Sequence, residues 1–402
     1  MNPPHLKQVI RSLYYNCMDT IATSVKNEFS RRFSSIPYLY YSPGRINLIG
    51  EHIDYNDGFV MPAAIDKGVY YAVAPNNTDK LNFYSIDFEE SLSVSLTGIM
   101  KIDTWKNYVL SVVNEFLLLK MPVKGFDCVF GGNISGGAGL SSSAAVEGGL
   151  AFAINDIFNC GFSSKDLALL CQRAEHNFPG VNCGIMDQFA NMMGKQNHVI
   201  LLDCRTMEHK YYPLQLDGYE IVLINTKVHH SLAASEYNKR RQECEEGLII
   251  IGFDSPVKSF RDINKPEDLL AYRDKMGTEI YNRCLFVVEE IARTQRAASL
   301  LQSNDLAGFG KLMYEAHDGL SKLYNVSCKE LDFLVELARK NENVLGSRMM
   351  GGGFGGCTIN IVKSEREEEF VHDATRAYKK QFGIDAEVYK VKIVDGTHRI
   401  DS

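Results

Sequence analysis

The 402 residues contain one tryptophan, Trp105, and 11 prolines, and no two of the ten cysteines are spaced C-x-x-C. Apolar runs such as Phe116–Leu119 and Leu248–Ile251 stop after four residues, far short of the ~18 that a membrane-spanning helix needs. Positive charge is also short. Against 43 Lys+Arg stand 50 Asp+Glu, a net charge of 43 − 50 = −7, so no basic field exists to hold a nucleic-acid backbone or an anionic membrane. The opening stretch MNPPHLKQVIRSLYYN carries Lys, Arg and Tyr where a secretory leader needs an unbroken apolar core; the expected location is the cytoplasm. Cysteines at 17, 128, 160, 171, 183, 204, 244, 284, 328 and 357 are too scattered for a zinc site and read as buried single thiols in a reducing compartment. No repeat or low-complexity tract interrupts the chain.

What is present is an ordinary globular composition, 45% hydrophobic and 23% charged, long enough for two to three domains. Residues 38–96 read as short strands separated by turns, with Tyr38–Tyr41 ending at Ser42-Pro43-Gly44 and further strands at Val69–Val73, Leu81–Ile86 and Phe126–Phe130. Helical spacing follows at Ser141–Phe158 and Lys165–Asn177. His198–Cys204 and Tyr219–Asn225 read as strands, Tyr281–Leu301 as a long helix, and two more helical segments precede a glycine turn at 351–356 that runs into a strand. The alternation predicts α+β layers rather than a doubly wound parallel sheet. The domain change is expected near 208, giving units 1–208 and 209–402.

Three segments carry chemistry. The first, GGNISGGAGLSSSAAVEGG from Gly131 to Gly149, exposes backbone N–H groups just before a helix, and with the hydroxyls of Ser141, Ser142 and Ser143 it suits a polyphosphate. It is neither a Walker A loop nor a dinucleotide fingerprint, and a flexible turn with a serine N-cap is the alternative. The second, Tyr41 to Gly58, gathers Arg45, Glu51, His52, Asp54 and Asp57, the mixture a hydroxyl-rich ligand needs. A metal site or a solvated surface loop would use the same residue types. In the third, Pro179 and Gly180 break the helix between Glu175 and Asp187; Asp187 could bind Mg²⁺, act as a base or cap a helix.

Taken in order, these blocks resemble the galactokinases of the GHMP small-molecule kinase superfamily. PGRINLIGEHIDYNDGFVMP is similar to the galactokinase signature, GGAGLSSSAAVE to the superfamily phosphate loop and RMMGGGFGGC to its C-terminal glycine motif; EHNFPGVNCGIMDQF and SEYNKRRQEC are further galactokinase-like blocks. The resemblance spans residues 40 to 357 and implies a two-domain GHMP kinase fold with the active site in the interdomain cleft. It implies ATP as co-substrate, Mg²⁺, and transfer of the γ-phosphoryl group to the anomeric hydroxyl of galactose by a monomer.

Residue by residue, the same resemblance makes Asp187 the catalytic base, with Arg45 beside it. Glu51, His52, Ile53, Asp54, Gly184, Asp187 and Tyr237 would hold the sugar, and Gly137, Ala138, Gly139, Leu140, Ser141, Ser142 and Ser143 would wrap the ATP phosphates. Ser143 and Glu175 would hold Mg²⁺, while Ser85 and Trp105 fall on the adenine side. Three positions depart from the family pattern: Ser135 and Ile53 stand where proline and threonine are common, and Met350 replaces a threonine before the glycine run. A sugar-binding sensor without kinase activity, or a kinase for N-acetylgalactosamine or arabinose, are the alternatives; the intact GLSSSAA, Arg45 and Asp187 speak for the enzyme.

Overall fold

The computed structural model describes residues 20–229 and 233–400, so Cys17 and the opening stretch lie outside the described residues. The first half runs α1 (residues 20–32), β1 (Tyr38–Asn47), β2 (Phe59–Val60), β3 (Pro62–Pro75), β4 (Lys80–Ser85), β5 (Glu90–Ser95), α2 (Lys106–Leu118), β6 (Phe126–Gly132), α3 (Ser142–Ile157), α4 (Ser164–Asn177), α5 (Met186–Met193) and β7 (His198–Asp203). The second half continues with β8 (His209–Pro213), β9 (Tyr219–His229), α6 (Ala233–Gly252), α7 (Arg273–Gln302), α8 (Leu306–Lys322), α9 (Lys329–Arg339), β10 (Val344–Met349), β11 (Gly355–Lys363), α10 (Glu367–Phe382), β12 (Glu387–Lys390) and β13 (His398–Arg399). Helices and sheets form α+β layers: among the described strands every pairing is antiparallel except β4 against β6.

Six strands form the first sheet in the order β13-β1-β3-β6-β4-β5. The helix α3 lies against β1 and β3 and is covered in turn by α2, α4 and α5, which accounts for its Ala- and Gly-rich sequence: small side chains let it approach the sheet closely. The second sheet, β10-β11-β9-β12, shows the period of two directly. Ile221 and Leu223 of β9, with Ile359 and Ile361 of β11, join the core cluster containing Phe309 and Met313 of α8. Val222, Ile224 and Val362 face the other way, onto Leu334 of α9 and Phe370 of α10. A third sheet, β2-β7-β8, joins the halves.

Two expectations need correction. Ser42-Pro43-Gly44 does not end the first strand; β1 continues to Asn47 through a bulge between Pro43 and Gly44. Proline lacks the N–H that a regular ladder would use, and Gly44 passes so close beneath the phosphate loop that a Cβ there would lie 2.4 Å from Ile134 and 2.6 Å from the Leu140 carbonyl. The strand β8 and the helix α6 were not foreseen, because His209–Pro213 has no apolar alternation and α6 begins in a strongly charged stretch. The expected boundary at 208 falls in the turn between β7 and β8, which pair with each other, and β13 returns to the first sheet beside β1.

The two halves are joined by a wholly buried arginine. Arg348, on β10, donates from Nε to the Leu48 carbonyl at 2.8 Å and from Nη1 to the Met349 carbonyl at 2.7 Å. Its Nη2 reaches the Asn47 carbonyl and lies 3.2 Å from Oε1 of Glu51. Substituting Arg348→Met would leave two carbonyls at the end of β1 and the Glu51 carboxylate without these donors. Because breaking a buried pair by removing one partner costs about 3–5 kcal/mol, urea unfolding should register a loss of that order; a loss below about 1 kcal/mol would show that the guanidinium does not hold this junction.

Candidate active site

A cavity of about 130 Å³ opens where the two halves meet, lined in part by Arg45, Glu51, Asp54, Asp187, Tyr237 and Gly352. Each comes from a different local device. Arg45 extends from the far end of β1, Glu51 and Asp54 from the tight turns after it, Asp187 from the first turn of α5 and Tyr237 from α6. Arg45 and Asp187, 142 residues apart in sequence, meet in a two-pronged pair: Nε to Oδ1 at 2.7 Å and Nη2 to Oδ2 at 2.9 Å. A third guanidinium nitrogen of Arg45 donates to the Gly139 carbonyl at 2.6 Å, and the Ser141 hydroxyl donates to Oδ2 of Asp187.

This arrangement settles two readings left open by local pattern. Asp187 is not a helix cap, since Ile185 occupies that position in α5 and makes no capping bond. Ser141 is the N-cap of α3 by position but gives its side chain to Asp187 rather than to the helix. The first N–H groups of α3 are therefore left without a capping side chain at the positive end of the helix dipole.

Behind the pair lie carboxyls with little water. Both oxygens of Glu51 are engaged: Oε1 accepts from the Gly351 N–H at 2.7 Å and Oε2 from the Asn47 amide. Burial pushes the Glu51 carboxyl up to about 7, with Arg348 pulling the other way. Burial also drives His52 down to about 4; its Nδ1 pairs with the Tyr55 hydroxyl at 2.7 Å and its Nε2 with the Gly352 carbonyl at 3.1 Å. A neutral ring satisfies both contacts, Nε2–H donating to the carbonyl and Nδ1 accepting from the tyrosine. Gly184 belongs here for a steric reason: a Cβ would sit 1.9 Å from Oδ2 of Asp54.

Glu175 closes the deep side, accepting from the Gln188 amide at 2.6 Å, with the Ser143 hydroxyl beside it favouring its charged form. Burial, reinforced by the charge of Asp187, raises it to about 7. Beside it sits Glu147, fully buried next to Glu175 and Gln188, its carboxyl pushed well up by burial and by the neighbouring Glu175. Glu147 was not among the expected residues. Its signal was a carboxylate in an Ala-rich buried helix, four residues after Ser143 and hence on the same face.

A larger cavity of about 700 Å³ adjoins the phosphate loop. Ser142 and Ser143 line one end, and Trp105, Phe88, Tyr108 and Phe130 give it an aromatic end. Trp105, expected on the adenine side, is among the residues lining this cavity. Ser85 does not line the cavity: it is fully buried in β4 and its hydroxyl faces the Phe88 N–H at 3.4 Å. The side chain of Ile53 is likewise in the hydrophobic core and not on the sugar-sized cavity. Ala138, Leu140 and Met350 are buried together in a second cluster, so Ala138 and Leu140 have only backbone to offer a phosphate. Among the described residues no group of three or more His, Cys, Asp or Glu is arranged to hold a metal ion, and no helix is long and apolar enough to cross a membrane.

Comparison with known proteins is consistent across sequence and structure. Residues 27–75 match the galactokinase galactose-binding signature, 107–195 the N-terminal domain of GHMP kinases and 297–381 their C-terminal domain. A galactokinase of Thermotoga petrophila is 40% identical over 359 residues, covering 89% of this chain and 99% of the relative. One from Clostridium beijerinckii is 41% identical over 383 residues, covering 94% and 98%. The crystal structure of Lactococcus lactis galactokinase complexed with galactose superposes with a TM-score of 0.91 at 33% identity, over 94% of this chain and 99% of that one. Methanococcus jannaschii mevalonate kinase, at 19% identity and a TM-score of 0.64 over 89% of this chain and 99% of that one, shares the fold.

The buried carboxyls make a stability prediction. Burial, with the neighbouring charge of Asp187, pushes Asp54 up from 3.8 to about 6. The folded state therefore keeps this proton when the unfolded chain has lost it, and stability falls as pH rises from about 4 to about 6, with the full cost present above 6. That cost is on the order of 3 kcal/mol. Asp54→Asn should accordingly raise the urea midpoint at pH 8, with the gain shrinking as pH is lowered towards 4. A variant no more stable than the parent at pH 8 would contradict this origin of the cost.

Proposed function

The chain belongs to the galactokinase family of the GHMP kinases, ATP-dependent enzymes that move the γ-phosphoryl group of ATP to the C1 hydroxyl of galactose, and from that membership we propose how its residues divide the work. The observation that carries the reading is the two-pronged pair of Arg45 and Asp187, at 2.7 and 2.9 Å, on the wall of the sugar-sized cavity. In the transfer the C1 hydroxyl oxygen bonds to the γ-phosphorus as the bond to the bridging oxygen of ADP breaks, and the hydroxyl proton must leave. Asp187 orients that hydroxyl and takes the proton. An ordinary aspartate is a far weaker base than a sugar alkoxide, so the proton moves late, once the new P–O bond has made it acidic. Arg45 holds the carboxylate and offsets charge on the moving phosphoryl group, the main demand of such a reaction.

Glu51, His52, Asp54, Gly184 and Tyr237 form the sugar-binding set, with Ile53 contributing backbone alone. Residues 137–143 cradle the phosphates at the uncapped start of α3, and Trp105 meets the adenine. The division into N-terminal (1–208) and C-terminal (209–402) GHMP kinase domains is retained as part of this reading. We also read the protein as a cytoplasmic monomer, on the support of scattered thiols that are all unpaired among the described residues; recovery outside the cytoplasm, or a mass in solution above 45.2 kDa, would count against it.

The donor set fits a hard cation. Ser143 and Glu175 lie together beside the phosphate loop, and the buried carboxyl of Glu147 adjoins them. Oxygen ligands of this kind suit Mg²⁺ that is shared with nucleotide phosphates. Ser143 and Glu175 are the residues that would hold it, and when bound it neutralises charge on the phosphates.

Two measurements test these roles. Asp187→Asn should lower the rate of galactose-dependent ADP release by at least ~10²-fold while calorimetry still detects galactose binding; near-parental turnover would remove Asp187 from the reaction. Glu175→Gln should raise the Mg²⁺ concentration needed for half-maximal rate and leave the KM for galactose within about twofold. An unchanged Mg²⁺ titration would make Glu175 a structural residue.

A further inference from the structure

His52 has a left-handed backbone, φ 63°, a conformation that a residue with a Cβ keeps only when its surroundings enforce it. Some of the enforcing contacts are local. The Asn56 amide donates to the His52 carbonyl at 2.9 Å, and the imidazole is wedged among the rings of Tyr55, Tyr237 and Tyr324, with centroids 5.9, 5.2 and 5.0 Å away. What fixes the two ring nitrogens reaches further.

A chain of polar groups runs from α6 to the glycine turn. The Cys244 thiol lies 3.2 Å from the Tyr324 hydroxyl, that hydroxyl 2.9 Å from the one of Tyr55, and the Tyr55 hydroxyl 2.7 Å from Nδ1 of His52. On the other side of the ring, Nε2 reaches the Gly352 carbonyl at 3.1 Å. This last link decides the rest. A carbonyl only accepts, so Nε2 carries the proton. Burial holds the ring neutral, so Nδ1 accepts and the Tyr55 hydroxyl must donate to it. The Tyr55 oxygen is left to accept from Tyr324, and the Tyr324 oxygen from the thiol. Accepting a hydrogen bond strengthens a hydroxyl as a donor, so each link tightens the next.

The chain ends where the smaller cavity is shaped. Gly352 lies so close to the Tyr237 ring that a Cβ would be 3.5 Å from Cδ2, and both residues line that cavity. The glycine turn has a second hold on the segment that carries Tyr324, since the Phe354 N–H donates to the Val326 carbonyl at 2.7 Å. That segment is itself clamped by buried arginines: Arg240 Nε donates to the Tyr324 carbonyl at 3.0 Å, and Arg283 to the Leu323 carbonyl.

We propose that Tyr55 is a positioning residue for sugar recognition: its hydroxyl, held by Tyr324, fixes His52 as the Nε2–H tautomer that ties down the Gly352 carbonyl, and so sets the wall that Gly352 and Tyr237 present to the sugar. This rests on the reading of the smaller cavity as the galactose site. Neither Tyr55 nor Tyr324 is among the residues lining the two cavities, so both act through His52.

The tautomer is read directly by NMR of nitrogen-labelled imidazole rings, with His52→Gln identifying the His52 signals. At neutral pH the free parent protein should show a protonated Nε2 and a bare Nδ1; a protonated Nδ1 overturns the proposal with no variant of either tyrosine needed. Tyr55→Phe removes one oxygen and leaves Nδ1 facing no donor. It should raise the KM for galactose about five- to a hundredfold, keep kcat at saturating galactose and the KM for ATP within about twofold, and populate a second form of the His52 ring. Tyr324→Phe should act in the same direction more weakly, about two- to fivefold. The double variant should be no worse than Tyr55→Phe, because Tyr324 acts through Tyr55. A parental KM for galactose in Tyr55→Phe, an equal rise in both KM values, or effects that multiply in the double variant overturn the proposal while galactose binding stands. If calorimetry detects no galactose binding to the parent protein, it is the sugar assignment of the cavity that fails, and the positioning role with it.

Discussion

Everything in the cleft depends on one charged group that has no access to water. The Arg348 guanidinium, from the second half, is spent on two carbonyls at the end of β1, on the carbonyl of Met349 and on Glu51. Taking such an ion out of water costs several kcal/mol unless its donors are matched. Four oxygens in the right places supply the match, and they occur together only when the turn after β1 and the strand β10 are docked. The glycine turn is fastened by the same carboxylate, through the Gly351 N–H. The geometry of the sugar-sized cavity is therefore decided at the junction behind it.

In front of that junction the balance of charge reverses. Asp54, Asp187, Glu175, Glu147 and Glu51 crowd the cleft against Arg45 and Arg348, and burial raises four of the five carboxyls from their ordinary range. Asp187 is the one carboxyl with a two-pronged arginine partner. The contrast is one of partners: Asp187 is gripped by Arg45, whereas its neighbours, raised by burial, call for a proton or a partner of opposite charge. Ligands that donate hydroxyl hydrogens or bring positive charge would offset the cost of burying these carboxyls.

Much of this was legible in the sequence because motif residues lie close together along the chain. Arg45, Glu51 and Asp54 share one turn-rich segment, and the glycine-serine loop announces a phosphate cradle by composition. Pairings across long separations were not legible from local pattern; nothing near Ser141 says that its hydroxyl will serve Asp187 instead of its own helix. The side chains of Ile53 and Ser85 are buried in the interior, since a neighbour in sequence can point to the opposite side of a turn or strand. Glu147 was overlooked because it looks unremarkable by type, and only its surroundings, a buried place beside Glu175, give it meaning. The expected boundary near 208 lies between β7 and β8, strands distinct in sequence that pair with each other.

The return of β13 to the first sheet has a consequence for how the molecule is made. Thr397 donates its N–H to the Asn191 carbonyl at 2.8 Å, and its hydroxyl sits 3.2 Å from that of Ser42. At 5–20 residues per second, the 206 residues between Asn191 and Thr397 take roughly 10–40 s to synthesise. Throughout that interval the first half exists with β1 as an open edge and with polar groups of Asn191 and Ser42 lacking their later partner. An exposed edge is the feature that invites pairing with other chains, so the vulnerable period of this protein in a cell is set by translation speed, and slow or stalled ribosomes lengthen it.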